Sequence, residues 1–156
     1  MFGLYRIQIQ LKDTNANTTA NNHLILAKSQ NDGFAIANSY MMLAQVNQML
    51  YRYHKVGTYL FKELEQRKNI SDAYGEAEVC RKLGEFYRSL TDYPNAIKYT
   101  KQALSIYKSI NHKFGTASSL DRLGAIYNEI IDNKSRANAI YFARKSLDMV
   151  LKLNDK

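Results

Sequence analysis

The residues from Tyr74 to Lys113 can be laid over those before and after them at a shift of 40, and this internal repeat constrains the fold more than any other feature. Leu83 falls on Leu43 and Leu123, Gly84 on Ala44 and Gly124, Phe86 on Val46 and Ile126, and Leu90 on Leu50 and Ile130. Tyr87 falls on Asn47 and Tyr127, and Phe114 returns as Tyr74 and Phe34. Within the unit, Ala77, Cys80, Leu83, Gly84, Tyr87 and Leu90 follow steps of three and four, the apolar stripe of an amphipathic helix. Asp92, Tyr93 and Pro94 interrupt it; Ala96, Ile97, Thr100, Ala103, Leu104, Tyr107 and Ile110 restart it. Each unit therefore reads as two helices joined by a short turn.

One such pair cannot hide both of its apolar faces, so neighbouring pairs must stack and supply each other's walls. The expected fold is all-α, a solenoid of helical hairpins with units at 34–73, 74–113 and 114–156 and a degraded first unit at 1–33. Together these make about 3–3.5 repeats in one solenoid domain. Small residues mark where backbones meet: Gly84 and Gly124 on the first helices, Ala96, Ala103 and Ala139 on the second. A larger side chain there would hold the helices apart and open voids.

The pattern Leu83-Gly84, Tyr87, Ala96, Ala103-Leu104, repeated as Leu123-Gly124, Tyr127, Ala139 and Ser146-Leu147, resembles the tetratricopeptide repeat (TPR). A step of 40 in place of the usual 34 or so is similar to the longer variety found in kinesin light chains, Leu-Gly-Asn repeat adaptors and bacterial peptide-sensing regulators. The resemblance covers roughly Ala20 to the C-terminus. It implies a right-handed superhelix whose first helices line a concave groove, and a scaffold or adaptor that holds a protein or peptide ligand in that groove. It also implies an alternative, a ligand-sensing or self-association segment of a larger bacterial signalling protein. The contact positions it implies are Asn38, Met41, Gln45 and Gln48 in one unit, Arg81, Glu85 and Arg88 in the next, and Asp121 and Asn128 in the last. Amide side chains there would hydrogen-bond a peptide, the two arginines would grip a carboxylate, and the methionines of this face would adapt to apolar side chains. Met41 and Asp121 stand where Arg81 does, so the family's clamp for chaperone tails is not reproduced.

Groups for catalysis do not converge. His23, His54 and His112 sit singly near turns or helix starts, and Cys80 lies on an apolar stripe as a buried thiol would. No phosphate-binding glycine loop, nucleophile elbow or HExxH is present. The expectation is a protein that is not an enzyme and has no cofactor and no metal. The 22 basic and 14 acidic residues give a net charge of +8, which raises nucleic-acid binding as a lesser reading. The basic residues are scattered over helix faces, so they read as solvated surface. No run approaches the ~20 apolar residues of a membrane span, and the opening MFGLYRIQIQLKD lacks the features of a secretory signal. A lone cysteine agrees with a reducing compartment, so the location expected is cytoplasmic.

Four places depart from the pattern. Met1 to Asp13 fits a helix on Leu4, Ile7 and Leu11 and a strand on the alternation of Ile7, Ile9 and Leu11, with the all-helical context favouring the helix; Asp13 to Asn22, rich in Thr and Asn, is read as a turn that caps a helix running to about Ser29. The second helix of the Phe34 unit carries Val56, Gly57 and Glu63 where its neighbour has Ala96, Ile97 and Ala103, which suggests a helix shifted, partly exposed or in an intermolecular contact. The last unit matches its neighbour at 43, so the loop from Asp132 to Asn138 is expected to hold three extra residues. Met149, Val150 and Leu153 would then lie bare on the terminal face, as in a homodimer through that end or in a piece of a longer array.

Overall fold

The computed structural model describes residues 2–154, with side chains over 15–152. Among these residues all regular structure is helical: α1 (Phe2–Ser29), α2 (Gly33–Met49), α3 (Tyr53–Asn69), α4 (Ala73–Ser89), α5 (Tyr93–Ser109), α6 (Lys113–Glu129) and α7 (Asn133–Asn154). The helices group into two compact units, Met1–Asp72 with α1 to α3 and Ala73–Lys156 with α4 to α7. In the first unit α2 packs on α1 and α3. In the second α4 packs on α5, α5 on α6 and α6 on α7.

The backbone repeats twice as often as the side chains do. Helices α2 to α6 are each 17 residues long and begin at positions 33, 53, 73, 93 and 113, a spacing of 20. One turn explains the spacing. Asn31, Tyr51, Ser71, Thr91 and Asn111 take φ between 52° and 58°, and each amide bonds back three residues, as Asn111 N does to Lys108 O at 3.1 Å. The next amide bonds back five, as His112 N does to Tyr107 O at 2.8 Å. Together these form the Schellman closure of a helix. The residue after the left-handed one then starts the following helix. Asp32 Oδ1 accepts from Ala35 N at 2.9 Å, Asp92 Oδ1 from Asn95 N at 3.2 Å, and the Nδ1 of His112 from Gly115 N at 2.9 Å.

Small residues sit where hairpins close. Gly84 and Gly124 are buried against α5 and α7: a β-carbon on either would lie 3.4 Å from the carbonyl oxygen of Ala96 or Ala139. Above them, aromatic rings lock the pairs. Tyr87 stacks on Tyr99 with centroids 5.4 Å apart, and Tyr127 stacks on Phe142 at 5.6 Å, both at 3°. In the first unit Asn47 occupies the Tyr87 position, and Tyr59 stacks instead on Tyr40 at 6.5 Å. In the second unit Leu104, Leu120 and Leu123 form a core, with Ile97, Tyr127, Phe142 and Met149 packed around it.

The irregular places differ from expectation. No turn breaks α1 at Asp13 to Asn22. The polar side chains there bond backward to their own helix, Thr19 Oγ1 to Asn15 O and Asn21 Nδ2 to Asn17 O, both at 2.8 Å. The side chains of Leu4, Ile7, Leu11 and Leu153 lie outside the described residues. Helix α3 is in register, with Val56, Gly57, Leu60 and Leu64 buried, and Glu63 is buried beside Arg67. The three extra residues of the last unit do not lengthen a loop. They add a turn to the start of α7, because Asp132 caps it by accepting from both Ser135 N at 2.8 Å and Ser135 Oγ at 2.6 Å. The two Ser135 hydrogen bonds hold the Asp132 carboxyl below the usual carboxylate range. Met149 packs inward, leaving Ile140, Leu147, Val150 and Leu151 exposed on α7. None of the described helices is long and apolar enough to cross a membrane.

Candidate functional site

In the first unit, α2 carries the predicted positions. Gln45 and Gln48 are exposed and, with Met49 and Tyr51, border a cavity of about 500 Å³. Met41 is half-buried beside them on the helix. Asn38 is occupied: its Oδ1 accepts from Arg67 Nη2 at 2.7 Å. Arg67 also donates to Asp72 at 2.8 Å and lies 3.6 Å from the buried Glu63 carboxylate.

The second unit uses the same two positions with different chemistry. Glu78 stands one repeat after Asn38 and Tyr107 one repeat after Arg67, and Tyr107 OH donates to Glu78 Oε1. Arg81 Nη2 donates to the other oxygen, Oε2, at 2.8 Å. Burial alone would raise the Glu78 carboxyl, but the bonds from Arg81 and Tyr107 outweigh it and hold the group below its usual range. Burial and the Glu78 carboxylate together push the Tyr107 phenol far upward. The hydroxyl therefore stays protonated and remains a donor.

Further along α4, Glu85 and Arg88 reach across to α6. Arg122 donates to Glu85, Arg88 Nε donates to Glu129 at 2.9 Å, and Arg88 Nη1 lies 3.4 Å from Glu85. The four charges form an alternating chain that ties one first helix to the next. Each member is about one-third exposed, so the pairs contribute tenths of a kcal/mol singly and act mainly by fixing register. Both Arg81 and Arg88, expected to grip a ligand's carboxylate, hold carboxylates of this chain. Asp121 and Asn128 remain exposed, and with Ala125 and Ile140 they border a cavity of about 340 Å³ between α6 and α7.

Tyr51, beside the α2 cavity, and Arg67 and Tyr107, which hold Asn38 and Glu78, were not singled out from sequence for these contacts. The signal for two of them was available, since Arg67 and Tyr107 align at the repeat step and each sits 29 residues after its acceptor. Cys80 is buried, His112 caps α6, and the Nδ1 of His23 hydrogen-bonds with Ser39 Oγ at 2.7 Å. Among the described residues no three metal-ligating side chains come together.

No protein-family model matches the chain, and no curated protein matches it in sequence. Among solved structures it is similar to BtubC (BKLC) from P. vanneervenii, with a TM-score of 0.80 and 17% identity over 93% of this chain. The chain spans 59% of that neighbour's length. At this identity the likeness speaks to fold alone, and with the regular hairpins it shows an all-helical repeat architecture.

Proposed function

We propose that the chain is a non-catalytic protein- or peptide-binding module that works through the exposed faces of its first helices, as in the long-repeat adaptors and peptide-sensing regulators. The observation that carries this reading is that each unit has a cavity bordered by predicted contact residues, Gln45 and Gln48 in one, Asp121 and Asn128 in the other. A glutamine can donate and accept toward a peptide backbone, while Met49 and Tyr51 offer adaptable apolar surface. The paired state of Arg81 and Arg88 shifts the recognition expected of them from charge capture toward amide and apolar contacts. Peptides selected from a random library on the immobilised chain are expected to lose affinity by about tenfold or more, some 1.4 kcal/mol, when Gln48→Ala is combined with Met49→Ala. Circular dichroism should be unchanged, since both side chains are exposed. Undiminished binding, or no peptide selected, overturns the assignment.

A second reading, self-association, draws on α7, whose Ile140, Leu147 and Leu151 are each more than half exposed. Sedimentation velocity on the same preparation separates the two: a concentration-dependent dimer abolished by Leu147→Glu supports self-association, and a monomer throughout removes it.

A further inference from the structure

The lysines that look scattered in sequence are partly gathered by the fold. Lys108 on α5, Lys113 on α6 and Lys145 and Lys152 on α7 converge on one cavity of about 500 Å³ lined by these three helices of the second unit. Its apolar lining is Leu120, which belongs to the core, and Met149, which packs on that core. Asp148 is the one carboxylate in the lining, so the site carries four positive charges against one negative. None of these residues lies among the predicted contact positions of the first helices.

We infer that this cavity binds a small organic phosphate. Three features select that class. Lysine ammonium groups are compact point charges that suit phosphate oxygens, and four of them against one carboxylate favour a multiply charged anion over a single carboxylate. The cavity volume falls within the usual few hundred to a thousand cubic ångströms of small-molecule sites, and its charges converge from three helices in place of running along a stripe as a nucleic-acid footprint would. Leu120 and Met149 supply an apolar wall for the body of the ligand, and Asp148 supplies an acceptor for a hydroxyl or amino group on it.

Calorimetric titration of the intact chain at ~20 mM salt, where surface charges are weakly screened, with adenosine triphosphate, tripolyphosphate and citrate as probes, tests the inference. Combined Lys145→Ala and Lys152→Ala is expected to weaken adenosine triphosphate binding by about tenfold or more, and Lys108→Ala to weaken it separately. Lys98→Ala with Lys101→Ala, which removes the same charge from exposed positions of α5 outside the cavity, is expected to change affinity by no more than about twofold. Tighter binding of adenosine triphosphate than of tripolyphosphate would support an organic body in the site, and equal binding would overturn it. Absence of binding by both phosphates, equal weakening in the two double variants, or preference for citrate would overturn the proposal.

Discussion

Arg67→Ala is expected to destabilise the protein by about 3 kcal/mol, in the range measured when one partner of a buried ion pair is removed. The side chain of Glu63 is 2% exposed and that of Arg67 is 11% exposed, so water does little to screen either. Transferring a carboxylate from water into such a place costs several kcal/mol unless it is compensated. Arg67 supplies compensation from 3.6 Å and at the same time ties α3 to α2 through Asn38 and to the following turn through Asp72. Withdrawing it removes a cation from a buried anion and takes away the donor to Asn38 Oδ1. A double variant, Glu63→Leu with Arg67→Met, should recover more than half of that loss, because it removes the buried charge together with its partner. Urea unfolding of the three proteins decides it. A loss below about 0.5 kcal/mol for Arg67→Ala, the usual scale of a surface substitution, would mean that Arg67 is not what compensates the buried Glu63 carboxylate.

Gly84→Ala and Gly124→Ala should move stability in opposite directions, although the two glycines occupy the same place in successive repeats. A β-carbon at Gly84 would lie 2.4 Å from Thr100 Oγ1, and that hydroxyl is buried and donates to Ala96 O at 2.8 Å. Turning Thr100 away would break this bond with no water to replace it, so an overpacking loss of about 1–3 kcal/mol is expected, more than the helix-propensity gain of up to ~1 kcal/mol. At Gly124 the corresponding neighbour is Ala143, and the nearest atoms to an added β-carbon are 3.4 Å away, ordinary contact distance. Gly124→Ala is therefore expected to be neutral or to stabilise by up to ~1 kcal/mol. Thr100→Ala should rescue Gly84→Ala in a double-mutant cycle with a coupling of about 1 kcal/mol or more. Equal effects at the two glycines would mean that the hairpins do not close at the distances described.

The hairpins were legible because close backbone approach restricts side-chain size and helix burial restricts period, and both marks survive in Gly84, Gly124, Leu83 and Leu123. The 20-residue module was not legible. Its turn needs a left-handed residue, and the chain meets that need with Asn31, Tyr51, Ser71, Thr91 and Asn111, of which only the two asparagines are alike and none is glycine. The Thr- and Asn-rich stretch of α1 misled for a related reason: such side chains favour turns in general, yet here they bond to carbonyls of their own helix. The face was legible as positions on helices. Its electrostatics were not, because the partner of Arg88 lies 41 residues away and that of Glu78 lies on a second helix, contacts that only stacking brings about.

The reading that the first helices are the working surface is tested most directly by photocross-linking a selected peptide from defined positions. A benzophenone side chain is placed in turn at Gln45 of α2 and Asn128 of α6, and at Lys98 and Gln102 of α5, all exposed. Adducts from Gln45 and Asn128, with none from Lys98 and Gln102, are the predicted result. Adducts confined to the α5 positions would contradict it.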